Sequence, residues 1–255
     1  MQTGSLVCIG LDSDMDQLPQ SCLKDSNPIR DFNLRLVDAT LEYAAAFKPN
    51  LAFYLKDGLR GIEALYETLE YIPQEVPVII DCKVGDIGNT MDAYVSSFFD
   101  SFSADAITIN PLMGTDVISS LLKNPKAYGF VLNLTSNPSA ADFLKKDNLA
   151  ANLAGLIMQH PKERLGAVVG ATQTEELKDM RKLLPERIFL IPGIGAQGGD
   201  LDAVMKYAIH TKAEPNILIN SSRGIIFKDK SENFAAAAGL EARKLQDSIK
   251  EKLEK

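Results

Sequence analysis

Apolar runs rich in β-formers alternate along the chain with stretches of helical periodicity. Eight runs have the length and composition of strands: Leu6–Asp12, Phe47–Phe53, Val76–Lys83, Ala106–Pro111, Gly129–Leu134, Gly166–Ala171, Arg187–Pro192 and Asn216–Asn220. They read as continuous apolar segments, as parallel strands covered on both faces do. Between them, Ile29–Ala46 places Phe32, Leu36, Ala39 and Tyr43 at helical spacing, and Leu59–Tyr71 does the same with Ile62, Leu65 and Leu69. Residues 234–253 carry a further helical stripe through Ala238, Ala242, Leu245, Ile249 and Leu253, which predicts an outer helix. Eight βα units in one chain of 255 residues predict a single-domain (β/α)8 TIM barrel over residues 1–255. A doubly wound open sheet is the rival, and no dinucleotide fingerprint supports it. Pro49 falls inside the second strand run, where a barrel has no free edge, so a bulge or an early strand end is expected there.

Composition narrows the class. A net charge of -7 with no Lys/Arg-rich run disfavours nucleic acid as a partner. Cys8, Cys22 and Cys82 show neither metal spacing nor a disulfide framework, which fits a reducing compartment. No basic leader and no 18-residue apolar run occurs, so a soluble, cytoplasmic protein with no membrane partner is expected.

In a barrel, chemistry belongs at the carboxyl ends of the strands. The third run, Val76-Pro77-Val78-Ile79-Ile80, leads into DCKVGDIGNT, residues 81–90. Strand alternation predicts Asp81 and Lys83 on one face, with Asp86 past the strand end. Opposite charges at the mouth of an apolar strand are costly unless they pair. They make either a structural ion pair or a reactive group. The other strand ends offer Asp12, as a ligand or a turn residue; Lys48 with Asn50, as reactive groups or snorkelling surface; Asn110; and Thr135-Ser136-Asn137-Pro138. The seventh run enters Pro192-Gly193-Ile194-Gly195-Ala196-Gln197-Gly198-Gly199-Asp200, and the eighth enters Asn220-Ser221-Ser222-Arg223-Gly224. Glycines that admit backbone close to a ligand, followed one strand later by an arginine, suit a phosphate dianion. The two histidines, His160 and His210, sit away from the strand ends, so neither a Ser-His-Asp triad nor a histidine metal site is supported. Lys48 and Lys83 stand among carboxylates, which keeps an ammonium charged and argues against Schiff-base chemistry.

Taken together, GLD (10–12), FKPN (47–50), DCKVGDIGNT (81–90), TSNP (135–138), PGIGAQGGD (192–200) and SSRGI (221–225) resemble the orotidine 5′-monophosphate decarboxylase family, in order and across more than 210 residues. The resemblance implies decarboxylation of orotidine 5′-monophosphate to uridine 5′-monophosphate, with no cofactor and no metal. Lys48, Asp81, Lys83 and Asp86 match the family's charged network. Lys83 matches the lysine that protonates C6, and Asp81 the carboxylate that faces the substrate's own. Asp86, Ile87 and Thr90 match residues contributed by the partner subunit, which implies a homodimer. Asp12 and Lys48 match ribose contacts, Ser136 a contact to the pyrimidine, and Gln197 and Arg223 the phosphate grip. Ser222 departs from the glycine that many relatives carry before the arginine. The D-x-K-x-x-D spacing is shared with metal-dependent sugar-phosphate decarboxylases and hexulose-phosphate synthases, which place an acidic ligand on strand 2 where this chain has Lys48. A catalytically silent nucleotide-binding barrel is the reading from outside enzymes.

Overall fold

The structure is a computed structural model that describes residues 4–170, 174–194 and 200–254. The eight strands are β1 Val7–Leu11, β2 Ala46–Pro49, β3 Ile79–Val84, β4 Ala106–Ile109, β5 Tyr128–Leu134, β6 Leu165–Val169, β7 Phe189–Pro192 and β8 Ile217–Ser221. They form one sheet in the order β2-β1-β8-β7-β6-β5-β4-β3. Parallel bridges from Phe47 to Val78 and from Asn50 to Asp81 return β2 to the β3 segment. This cyclic order of parallel strands joined through helices is the (β/α)8 barrel that the periodicity predicts. The helices are α1 Pro28–Thr40, α2 Leu51–Lys56, α3 Gly58–Tyr71, α4 Gly88–Ser96, α5 Thr115–Lys123, α6 Leu149–Met158, α7 Thr174–Leu183, α8 Leu201–Tyr207, α9 Arg223–Ile226 and α10 Phe234–Glu254. None of the described helices is long and apolar enough to cross a membrane.

Contacts divide the chain into two compact units, Met1–Cys82 with Asn220–Glu251, and Lys83–Ile219 with Lys252–Lys255. In the first, α1 shows how the sequence sets an element. Asn27 caps it by accepting the Arg30 N–H, and Pro28 occupies the first turn, where its missing N–H costs nothing. Ile29, Phe32, Leu36 and Val37 then recur on one buried face. Phe32 stacks on Phe227 and Phe234 at centroid distances of 5.7 and 4.9 Å. Fully burying one such ring contributes roughly 1.5–3 kcal/mol. Gly239 of α10 lies against α1 so closely that a Cβ would meet the Ala39 carbonyl oxygen at 2.6 Å.

In the second unit, β4 to β7 pair in parallel, with a register shift between Leu132 and Leu134 on β5. Arg181 is buried, and among the described residues its hydrogen-bond partners include no carboxylate. Its guanidinium lies 3.6 Å from the Phe189 ring centroid and donates to the Ala208, Leu184, Pro185, Arg187 and Asn216 carbonyls. Carbonyl oxygens satisfy a buried guanidinium by hydrogen bonding.

Some elements end earlier than the periodicity suggests. The second strand stops at Pro49, the early end expected there, because proline cannot donate to the ladder. Residues 51–53, assigned to that strand by composition, open α2, and Asn50 caps it by accepting the Ala52 N–H. The first helix ends at Thr40 rather than Ala46, passes through a 3₁₀ turn at Leu41–Tyr43, and Ala46 already belongs to β2. The fourth strand stops at Ile109, and Asn110 accepts the Leu112 N–H at the head of a 3₁₀ turn.

Candidate active site

Each unit carries part of the charged set. In the first, β1 delivers Asp12, β2 delivers Lys48 and β3 delivers Asp81. Register pairs Gly10 with Lys48, and Asn50 bridges to Asp81, which brings these side chains to one level. Lys48 does not snorkel: it is 4 % exposed, and its Nζ donates to Asp81 Oδ2 at 3.0 Å and lies 4.0 Å from Asp12 Oδ1. Burial alone would lower the affinity of the ammonium for its proton. The Asp81 and Asp12 charges, with the Asp81 hydrogen bond, outweigh it and hold Lys48 above the ordinary lysine value. Lys48 is thus a fixed cation. Beneath it, burial pushes the Cys8 thiol up to about 12, so Cys8 is a neutral apolar neighbour rather than a nucleophile.

A polar network that the sequence reading did not single out supports the end of β1. Tyr54 Oη donates to the Leu11 carbonyl at 2.9 Å. Asn33 Nδ2 donates to Tyr54 Oη and to Thr68 Oγ1, each at 3.0 Å. Ser13 Oγ donates to Asn33 Oδ1 at 2.5 Å. Residues on both sides of Asp12 are therefore tied to α1, α2 and α3, and these bonds fix its backbone. A Cβ on Gly10 would meet Ser222 Cβ at 2.6 Å, so the glycine at 10 admits the serine at 222. Ser222 Oγ, Asn220 Oδ1 and Asp12 Oδ1 are buried with no hydrogen-bond partner among the described residues. Arg223, exposed, opens α9 directly after Ser222.

In the second unit, Lys83 adopts φ 50°, a left-handed conformation. Lys83 is exposed, and its N–H donates to Thr108 Oγ1 at 2.9 Å. Asp86 Oδ1 accepts the Ile87 N–H at 2.8 Å in the loop before α4, past the strand end as predicted. Ile87 and Thr90 are exposed, Thr90 in the first turn of α4. Ser136 follows β5 and is half-buried. Gly170 at the end of β6 passes so close that a Cβ would stand 2.8 Å from Ser136 Cα. An apolar cavity of about 330 Å3, lined by Leu112, Leu132, Thr135, Phe143 and Leu144 among others, opens beside that turn. Asp200 caps α8 by accepting the Asp202 and Ala203 N–H groups. Gln197 and the glycines at 195, 198 and 199 lie outside the described residues. His160 precedes β6 and His210 precedes β8, at the amino ends of those strands.

A buried lysine paired with carboxylates at the carboxyl ends of parallel barrel strands stands where barrel enzymes carry their chemistry. Residues 5–238 match the model of the orotidine 5'-phosphate decarboxylase / HUMPS family, and the chain belongs to that family. A Bacteroides fragilis protein named orotidine 5'-phosphate decarboxylase is 42% identical over 98% of this chain and 93% of its own length. Among solved structures, a putative orotidine-monophosphate-decarboxylase from Toxoplasma gondii superposes with a TM-score of 0.89 at 32% identity, covering 99% of this chain and 93% of that one. The Leishmania donovani UMP synthase superposes with a TM-score of 0.86 at 34% identity. That match covers 98% of this chain, which spans only 54% of the Leishmania protein.

Proposed function

We propose that the chain is a carboxy-lyase that converts orotidine 5′-monophosphate to uridine 5′-monophosphate, with Lys83 as the proton donor. The observation that carries this reading is the buried Lys48–Asp81 ion pair at the barrel rim, two residues before Lys83, in a chain of the decarboxylase family. The C6–carboxylate bond breaks, carbon dioxide leaves, and the electron pair remains on C6. The Lys83 ammonium gives C6 its proton and regains one from solvent. An ammonium aimed at developing negative charge stabilises it electrostatically as well as protonating it. Asp81 faces the substrate carboxylate and is held there by its 3.0 Å bond to Lys48. Lys48 and Asp12 hold the ribose hydroxyls, Ser136 reads the pyrimidine, and Gln197 with Arg223 grips the phosphate. Binding energy from that remote phosphate holds the base in register over Lys83.

The active unit is a homodimer in which Asp86, Ile87 and Thr90 reach the partner's site. The exposure of Ile87 and Thr90 on the single chain supports this. The two compact units act as one domain, and the protein works in the cytoplasm. The metal-dependent sugar-phosphate reading is disfavoured by Lys48: a buried ammonium 3.0 Å from Asp81 stands where that chemistry places an acidic ligand. Ultraviolet monitoring of orotidine 5′-monophosphate with purified protein tests the assignment. Conversion at the same rate with and without a chelator is expected. No conversion, or conversion that a chelator abolishes, overturns it.

A further inference from the structure

Strand β3 ends unusually. Lys83 takes φ 50°, a conformation that the Cβ of an L-residue disfavours, and such outliers persist only where their surroundings hold them. One restraint lies on β4. The Thr108 hydroxyl accepts the Lys83 N–H at 2.9 Å, and Thr108 is itself 1 % exposed, so bulk water does not compete for that bond. The two strand ends are joined again just beyond. The Asn110 N–H donates to the Val84 carbonyl at 2.7 Å, and a Cβ on Gly85 would stand 2.2 Å from the Asn110 carbonyl oxygen. Lys83 is therefore held from one side by a side-chain acceptor and followed at once by a tightly packed backbone crossing.

We propose that Thr108 is a positioning residue for Lys83: its hydroxyl holds the lysine backbone in the left-handed form and so sets the direction from which the ammonium approaches the substrate. This rests on the reading of Lys83 as the proton donor. Valine at 108 has the same shape as threonine and lacks the acceptor, so packing of β4 is kept while the restraint is lost. Thr108 acts through Lys83, so the effect belongs to the chemical step rather than to substrate binding.

The test is steady-state decarboxylation by Thr108→Val, Thr108→Ser and Lys83→Ala, each checked for a native thermal transition. Thr108→Val should lower kcat about tenfold, the equivalent of one net hydrogen bond, and leave KM within about twofold. Thr108→Ser, which keeps the hydroxyl, should restore kcat to within about threefold of the parent. A valine variant with kcat within about twofold of the parent overturns the proposal, as does a serine variant as impaired as the valine one. If the valine variant does not fold, Thr108→Ala against Thr108→Ser is read by the same criteria. Lys83→Ala separates the two readings. If it turns over normally, the role of Lys83 itself fails. If it is inactive while Thr108→Val is unimpaired, only the role of Thr108 fails.

Discussion

Replacing Lys48 by methionine removes one charge and little volume from the middle of the barrel rim. Asp81 then loses a 3.0 Å partner and Asp12 a cation 4.0 Å away, while the side chains of both remain mostly buried, at 12% and 18% exposure. Breaking a fully buried pair by deleting one partner costs about 3–5 kcal/mol. Residual solvent access to both carboxylates reduces this to about 2–4 kcal/mol at neutral pH. Urea denaturation of Lys48→Met at pH 8, beside the parent, measures that loss. Adding Asp81→Asn should recover about 1–2 kcal/mol, since the double variant no longer buries that unpaired charge. A loss below about 0.5 kcal/mol at pH 8, or a double variant less stable than Lys48→Met alone, would refute the view that these charges neutralise each other.

Three further outcomes are expected. Arg223→Ala should weaken binding of uridine 5′-monophosphate by about 2–5 kcal/mol and leave uridine binding nearly unchanged, by calorimetry; equal losses would make Arg223 a support of the fold. The Cys8 thiol rises from 9.0 to about 12 on folding, so its contribution to stability is complete below pH 9 and is lost as pH rises through that window. Unfolding free energy should therefore fall by up to about 1.4 kcal/mol per pH unit just above pH 9, and Cys8→Ala should flatten that slope. Mixing inactive Lys83→Ala and Asp86→Ala subunits under demonstrated exchange should return about a quarter of parental activity, because half the dimers then hold one intact site of two; no return would assign Asp86 to its own chain's site.

Most of the fold was legible because strand spacing and helical stripes are local signals. All eight strands fall where apolar runs predict them, and Pro49 ends β2 as its missing N–H requires. Asn50 was misplaced on that strand because its composition does not distinguish a strand residue from a helix cap; the accepted Ala52 N–H decides it. The left-handed turn at Lys83 could not be read from any window of sequence, since the hydroxyl that meets it lies 25 residues later. The Ser13-Asn33-Tyr54 network was missed for the same kind of reason. Asn33 reads as a polar residue on a helix until folding places Tyr54 and Thr68 against it. The buried pairing of Lys48 with Asp81 likewise needed the strand register, because 33 residues separate the two.

Turnover of Lys83→Ala with orotidine 5′-monophosphate tests the central claim most directly, provided the variant still binds uridine 5′-monophosphate. A proton donor removed from a site that is otherwise intact should lower kcat by at least the ~10²–10⁴ typical of general acid catalysis, with ligand affinity nearly kept. A variant that binds the nucleotide and turns over within a few-fold of the parent would contradict the account.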